Sequence, residues 1–199
     1  LTLNSGLVNT TSSNLLTLAS TASTNLGSAT SYVNGPMAYV MANNGTSVLR
    51  FPIGKSGAWR PVIVTPTHNT TTAYTYTSEL ISSAASALNL ALPGSISKVS
   101  GVRYWDISRS SASTDLVSAT VELYYSNTNG TDDKVIDYSK LTVAKASSGA
   151  TAWTDVGGTA SANSAGSIVS GTITSFSRFS LANMSAGLNP LPVECKTSV

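Results

Sequence analysis

The chain has 199 residues, of which 10% are charged and 41% hydrophobic, with a formal net charge of +2 and one cysteine. The length suits one ordinary domain or two small ones, and the hydrophobic content with so little net charge favours a folded domain over an intrinsically disordered chain. Scattered basic residues exclude an electrostatic nucleic-acid surface, and a single cysteine excludes an intramolecular disulfide or a cysteine-based zinc cluster.

The first 50 residues predict N-terminal strands packed on the next domain. Leu1-Thr2-Leu3 recurs as Leu16-Thr17-Leu18, which indicates either the end of a β-solenoid or an ordinary pair of strands. Further on, Asn43-Asn44-Gly45 separates two apolar runs, Met37–Met41 and Ser47–Phe51. Because Asn-Gly favours a type I′ turn, these runs are predicted to pair as a hairpin.

Residues 51–187 predict one β-sandwich domain. Val62-Ile63-Val64 lies between Pro61 and Pro66, which indicates an edge strand or a strand end. Tyr74 and Tyr76 alternate with threonines and predict a strand with one aromatic face. A short helix competes over Glu79–Leu92, although serine and asparagine interrupt it.

Period-two alternation is clearest in the second half of the chain. One predicted buried face comprises Val117, Ala119, Val121, Leu123 and Tyr125, and another comprises Val169, Ile173, Phe179 and Leu181. Short strands with polar turns predict an all-β, antiparallel β-sandwich, either immunoglobulin/fibronectin-like or jelly-roll-like. Residues 188–199 are predicted to form an extended C-terminal linker, because Pro190 and Pro192 restrict the backbone there.

Hydrolase chemistry of the Ser–His–acid type would require an imidazole, and His68 is the only histidine. It lies in a predicted loop without a nucleophile-elbow motif. We therefore expect a surface histidine and a protein that is not an enzyme.

The densest acidic residues are Asp132, Asp133 and Asp137. Paired carboxylates could hydrolyse glycosides, and such oxygens also ligate calcium. The spacing misses the D-x-[DN]-x-[DN]-G pattern, so a hairpin loop with turn-capping side chains is favoured over a calcium site. We expect no cofactor, with calcium as the weaker alternative.

Three tryptophans raise the question of a sugar-stacking platform. Trp105 and Trp153 lie in apolar or turn-bounded segments, which favours burial between the sheets. Trp59 lies near Gly57 and beside Arg60, and its exposure is left open. It is the single ligand-contacting candidate among the tryptophans.

Several segments together carry a resemblance: Trp153-x-x-x-Gly157-Gly158, Gly171–Ser175, Phe176–Leu181, Phe51–Gly54 with Arg60–Val62, and Tyr104–Ile107. In this order they resemble a β-sandwich module of large Bacteroidota proteins exported by type IX secretion. Ser31–Pro36 is similar to the segment that precedes the module. Leu191-Pro192-Val193-Glu194 resembles the linker before the sorting domain of those proteins.

The resemblance implies a secreted or cell-surface protein of adhesin type. We expect a non-enzymatic structural or adhesive module of an extracellular protein or fibre, and any signal peptide to have been removed. Its partners would be other protein chains, through strand pairing or homo-oligomerisation, or surface glycans, with neither nucleic acid nor membrane insertion. The alternative is a carbohydrate-binding accessory module of a secreted polysaccharide-degrading enzyme.

Overall fold

The computed structural model describes residues 1–128 and 133–192, and this part of the chain is all-β. Its strands form three sheets, and its helical turns are two short 3₁₀ helices, Ala85–Leu88 and Tyr138–Lys140. The prediction of an all-β fold is therefore confirmed. The segment in which a helix competed continues a strand as far as Ile81 and then forms the first 3₁₀ turn.

The first half of the chain contains ten strands. They are β1 (Val8–Asn9), β2 (Leu16–Leu18), β3 (Val33–Asn34), β4 (Met37–Met41), β5 (Gly45–Thr46), β6 (Leu49–Phe51), β7 (Ile53–Lys55), β8 (Ala58–Trp59), β9 (Val62–His68) and β10 (Tyr74–Ile81). The second half of the described chain contains eight. They are β11 (Ile96–Val99), β12 (Tyr104–Arg109), β13 (Leu116–Ser126), β14 (Leu141–Ala146), β15 (Thr154–Asp155), β16 (Thr159–Ala160), β17 (Ala165–Val169) and β18 (Arg178–Met184).

Two larger sheets form the body of the molecule. The eight-stranded sheet has the order β15-β14-β18-β12-β10-β4-β2, with β11 also paired to β18. The six-stranded sheet has the order β16-β17-β13-β9-β5, with β6 also paired to β9. All their pairings are antiparallel except the one between β2 and β4.

The inner faces of these two sheets share one hydrophobic core. Trp105, Phe179 and Leu181 come from the eight-stranded sheet, while Val64 and Val121 come from the six-stranded one, and all five belong to the same buried cluster. Strand β10 alternates between buried and half-buried residues along its whole length, as the Tyr-Thr pattern predicts. The body is therefore two sheets joined through a common core.

A second, smaller core lies on the opposite face of the eight-stranded sheet. Ala144 and Ala182 alternate in sequence with residues of the main core, so they point to the other side. There they pack with Trp153, which is 2% exposed. Trp105 is buried in the main core as predicted, but Trp153 is buried outside the space between the two large sheets.

The N-terminal strands form a parallel stack. In the four-stranded sheet, β1 pairs with β3 and β3 with β7, all parallel, and β8 closes that sheet. Strand β2 pairs in parallel with β4 at the margin of the eight-stranded sheet. Residues 1–50 and the rest of the described chain thus contribute to the same sheets and to the same core.

The predicted hairpin at Asn43-Asn44-Gly45 is wrong. Strand β4, before it, pairs with β2 and β10, whereas β5 and β6, after it, pair with β9 in the other large sheet. The turn therefore carries the chain from one sheet to the other. Gly45 still has the positive φ of +105° that its sequence position suggested.

Of the two positions predicted for Val62-Ile63-Val64, the edge strand is wrong, whereas the strand end agrees with the structure, because β9 begins at Val62. Strand β9 runs through Pro66 to His68 and pairs with β13 on one side and with β5 and β6 on the other. Pro66 is tolerated because it lies opposite the interruption between β5 and β6, where a ladder hydrogen bond from its nitrogen is not needed.

Two residues of the predicted buried faces point to solvent. Val117 is 53% exposed because a register shift between Leu116 and Ser118 adds a residue to β13, so that Leu116 is buried in its place. Val169 is 38% exposed, whereas the preceding Ile168 is fully buried. The remaining predicted inward residues are buried, namely Ala119, Val121, Leu123, Tyr125, Ile173, Phe179 and Leu181.

The described part of the predicted C-terminal linker packs against the body. Leu191 is fully buried in the main core. The side chain of Asn189 accepts hydrogen bonds from the backbone N–H groups of Ile136 and Asp137, both at 2.8 Å. Residues 193–199, including Val193, Glu194 and Cys195, lie outside the described residues.

Candidate functional site

A cleft of about 420 Å³ opens beside Trp59, near one end of the six-stranded sheet. Small residues on β8, β17 and the preceding turns leave it open, among them Gly57, Ala58 and Gly166. The aromatic side chains at its wall are Trp59, Tyr124 and Tyr125. The structure therefore places the candidate Trp59 in the wall of this cleft.

Trp59 is half-buried and held in a fixed orientation. Its indole N–H donates a 2.8 Å hydrogen bond to the carbonyl oxygen of Leu26. This bond ties β8 to the N-terminal stack and leaves the indole without a free polar group. The ring can therefore contribute an apolar surface to the cleft, but no further hydrogen bond from its nitrogen.

The two tyrosines have different environments. Tyr125 is buried, and its hydroxyl donates to the carbonyl oxygen of Ala162. Tyr124 is half-buried on the other face of β13, where burial and the nearby Glu122 raise the pKa of its hydroxyl. Tyr124 thus remains a neutral hydrogen-bonding group at the mouth of the cleft throughout the physiological pH range.

A buried ion cluster lies beneath the cleft. Asp133 is fully buried; Nε of Arg60 donates to it at 2.7 Å, and Nη1 of Arg103 donates to its two carboxylate oxygens at 3.0 and 3.1 Å. The backbone N–H of Ser126 adds a further bond at 3.0 Å. Arg60 also donates to the carbonyl oxygen of Ser126 at 3.1 Å, which closes the cluster.

The three acidic candidates are not brought together. Asp133 is enclosed by arginine donors, and Asp137 caps the second 3₁₀ turn by accepting from the N–H of Ser139 at 3.0 Å. Asp132 lies outside the described residues. Across residues 1–128 and 133–192 there is no group of three or more histidine, cysteine or acidic side chains arranged to hold a metal ion.

The expectation that His68 is a surface loop residue is wrong. It ends strand β9 and is 1% exposed. Its ring stacks on Tyr76 at a centroid distance of 5.9 Å, and Nε2 lies 2.6 Å from the Tyr76 hydroxyl. Tyr74 packs edge-on against the same imidazole at 5.1 Å.

Burial of His68, more than the charges around it, lowers the pKa of its imidazole. Burial and the neighbouring Arg109 lower the pKa of His68, with Asp115 acting in the opposite direction. Burial also raises the pKa of Tyr76 to about 12. Nδ1 of His68 has no hydrogen-bond partner among the described residues. The imidazole packs between aromatic rings, and no serine or cysteine side chain hydrogen-bonds to it in the described part of the chain.

The parallel stack carries polar contacts that the sequence reasoning missed. The side-chain amide of Asn34 donates to Oδ1 of Asn9 at 2.9 Å, directly across the β1–β3 ladder. The signal was present in the sequence, because Val8-Asn9 and Val33-Asn34 form a repeat. The spacing of the Leu-Thr-Leu repeat does not match the spacing of the stacked strands, because Leu16–Leu18 pairs with β4 rather than with residues 1–3.

No protein-family model matches the chain, and neither the curated proteins nor the solved structures searched contain a significant match. Within the described residues, no helix has the length and apolar character needed to span a membrane.

Proposed function

We propose that this chain is a non-enzymatic structural or adhesive module of an extracellular, cell-surface protein or fibre. The observation that carries the proposal is the parallel stack of β1, β3 and β7 beside β2 and β4, built directly onto a two-sheet body. Elongated proteins use such stacks as shafts, because each added layer repeats the same contacts. An all-β body at the end of a stack suits a cap or a spacer.

The finer fold assignment belongs to the same proposal. The two facing sheets form a β-sandwich of immunoglobulin/fibronectin-like or jelly-roll-like type, and the N-terminal strands are the last coils of a β-solenoid. The resemblance to modules of Bacteroidota proteins exported by type IX secretion agrees with this assignment and with a location outside the cell.

Burial of the aromatic side chains supports a structural role. Trp105 and Trp153 are 0% and 2% exposed, so neither can stack on a ligand. Arg60, Arg103 and Asp133, whose charges could otherwise serve a site, are committed to one another inside the body. These two tryptophans and this buried ion cluster thus stabilise the fold.

A carbohydrate-binding accessory module is the second candidate, and the cleft beside Trp59 favours it. Sugar sites combine an aromatic face with hydrogen-bonding groups, and Trp59 and Tyr124 supply these at the cleft. A single half-buried tryptophan is a small platform, however, and its indole nitrogen is already engaged by Leu26. A structural role therefore explains more of the observed features of the chain than carbohydrate binding does.

Affinity gel electrophoresis against a panel of neutral and acidic polysaccharides separates the two candidates. The structural proposal expects the same mobility with and without polysaccharide for the natural chain. Retardation that disappears in Trp59→Ala, and persists in a control with Val117→Ala at an exposed position of the six-stranded sheet, would establish the carbohydrate-binding alternative. Electron microscopy of the purified chain then tests for ordered assemblies.

A further inference from the structure

A second cavity, of about 210 Å³, opens at the other end of β13 from the cleft beside Trp59. Its wall includes Arg109 at the end of β12 and Leu116 at the start of β13, so it opens between strands of the two large sheets. Residues 174–176, just before β18, form another part of the wall. Drug-sized ligands occupy sites of about 300–1,000 Å³, so this volume suits a smaller molecule.

The wall of this cavity contains a guanidinium group that is held in place. Arg109 lies over the ring of Tyr74, with Cζ 4.7 Å from the ring centroid, and its Nη2 donates to the carbonyl oxygen of Ser113 at 2.6 Å. The guanidinium also lies near the Tyr76 hydroxyl, where burial raises the pKa and the charge of Arg109 acts against it. Its Nη1 is buried and has no hydrogen-bond partner within the described residues. Arg109 is therefore fixed in orientation and retains unused donor capacity.

A second cation reaches the same wall. Nζ of Lys145 donates to Oγ of Ser175, a lining residue, at 2.6 Å. Lys145 is half-buried, and burial lowers the pKa of its ammonium group. Neither Lys145 nor Arg109 forms an ion pair in the described part of the chain, and no acidic side chain described there lines the cavity. The charge around the cavity is therefore positive and suits an anion.

The rest of the wall combines hydroxyl groups with apolar side chains. Phe176 is half-buried and packs edge-on against Tyr76 at a centroid distance of 5.3 Å, which fixes its ring beside the cavity. Leu116 adds a second apolar surface. The hydroxyl groups belong to Ser108, Ser111 and Thr174. Hydroxyl and guanidinium donors together suit a planar carboxylate, while the apolar side chains suit the carbon skeleton that carries it.

We propose that this cavity binds a small organic monocarboxylate. The carboxylate faces Arg109 on one side and the Lys145–Ser175 pair on the other. The apolar part of the ligand packs against Phe176 and Leu116. This binding site goes beyond the proposed structural role and does not depend on it.

Benzoate is a suitable probe, because it joins one carboxylate to a flat apolar ring. Isothermal titration calorimetry of the full chain at low ionic strength measures its affinity, since salt screens such interactions. Benzamide is the matched control, with nearly the same shape and no charge. We expect benzoate to bind and benzamide to bind at least about tenfold more weakly, because the charge-assisted hydrogen bonds are lost. Sulfate tests the apolar wall, and we expect it to bind more weakly than benzoate.

Two substitutions locate the bound benzoate. Arg109→Gln should weaken binding by at least about tenfold. Because Arg109 also packs on Tyr74, this variant could lose its fold, so Lys145→Gln provides a second measurement in the same direction. Arg50→Gln, at an exposed position of β6, is the control and should bind benzoate like the natural chain.

Several results would overturn the proposal. They are no binding of benzoate to the natural chain, equal affinity for benzamide, or benzoate affinity unchanged in folded Arg109→Gln or in Lys145→Gln. Sulfate that binds as tightly as benzoate would indicate a general anion site and overturn the assignment of an organic ligand. The polysaccharide experiment depends on Trp59 at the opposite end of β13, so its result bears on the proposed function alone.

Discussion

The side-chain amide of Asn34 donates a 2.9 Å hydrogen bond to Oδ1 of Asn9, one layer above it in the parallel stack. In-register parallel strands place like residues over one another, and asparagine amides at such positions can bond along the stack. Backbone ladder and amide ladder therefore fix the same register. A one-residue slip of β1 would move Val8 out of the row above Val33 and would break both.

Replacing Asn34 with alanine should destabilise the protein modestly. The lost hydrogen bond is exposed, so we expect a cost of about 0.5–1.5 kcal/mol. For a chain of this size each kcal/mol lowers the melting temperature by about 2–4 °C. Asn44→Ala, at an exposed turn position, is the control and should melt like the natural protein. Equal melting temperatures for the two variants would contradict the stabilising role of the ladder.

Asp133→Asn should have a much larger effect. The substitution keeps the size of the side chain but leaves two nearly buried guanidinium groups, 5% and 4% exposed, facing a neutral amide. Removing one partner of a buried ion cluster costs about 3–5 kcal/mol. The exposed Asp106→Asn is the matched control. Urea unfolding of both variants measures the difference, and a small effect at Asp133 would show that the cluster contributes little to stability.

Calcium should not change the stability of the protein. The carboxylate of Asp133 already accepts hydrogen bonds from Arg60, Arg103 and the N–H of Ser126, and a cation there would face two guanidinium groups. We expect the same melting temperature in calcium and in a chelator. An increase with calcium that Asp137→Asn removes would instead identify a site that includes this carboxylate.

Local patterns in the sequence predicted strands well, and pairing poorly. Alternation identified inward-facing residues of β10 and β13, and Phe179 and Leu181 of β18, because a strand on a core places every second side chain inward. It did not predict that β18 also buries the residues of its other face, Ser180 and Ala182. It did not reveal the register shift at Leu116, because Leu116 and Val117 are both apolar and the pattern does not say which of them faces the core. The exposure of Val117 follows from that shift.

The turn at Asn44-Gly45 shows a second limit. Turn chemistry specifies a reversal of the backbone, and it does so equally for a hairpin and for a chain passing between two facing sheets. Which partner β4 receives is decided by the core, where Met37 and Tyr39 pack with residues distant in sequence. His68 is a similar case, because its burial depends on Tyr74 and Tyr76 of the adjacent strand.

Trp105→Ala and Trp153→Ala should both destabilise the protein, for different reasons. Trp105 fills the space between the two large sheets, and its indole N–H donates to the carbonyl oxygen of Arg60 at 3.1 Å. Trp153 covers the alanine-lined outer face of the eight-stranded sheet. We expect about 3–5 kcal/mol for each in urea unfolding. An unchanged transition for Trp153→Ala would mean that the outer cluster does not contribute to the cooperative fold.

The pH dependence of stability should report on His68. In the folded protein, burial and Arg109 hold the pKa of His68 below its usual value of about 6.5, against the opposing charge of Asp115. As the pH falls, the unfolded chain therefore takes up this proton first. Stability from the neutral imidazole is complete above about pH 6.5 and is lost below it, until the folded pKa is reached.

The His68→Gln variant isolates this contribution. It removes the titration, so the difference in unfolding free energy between the natural protein and the variant should narrow as the pH falls below about 6.5. For one group the slope cannot exceed about 1.4 kcal/mol per pH unit. Carboxylates that titrate at lower pH are common to both proteins and cancel in the difference. A difference that stays constant from pH 8 to pH 5 would show that the buried imidazole titrates as it does in the unfolded chain.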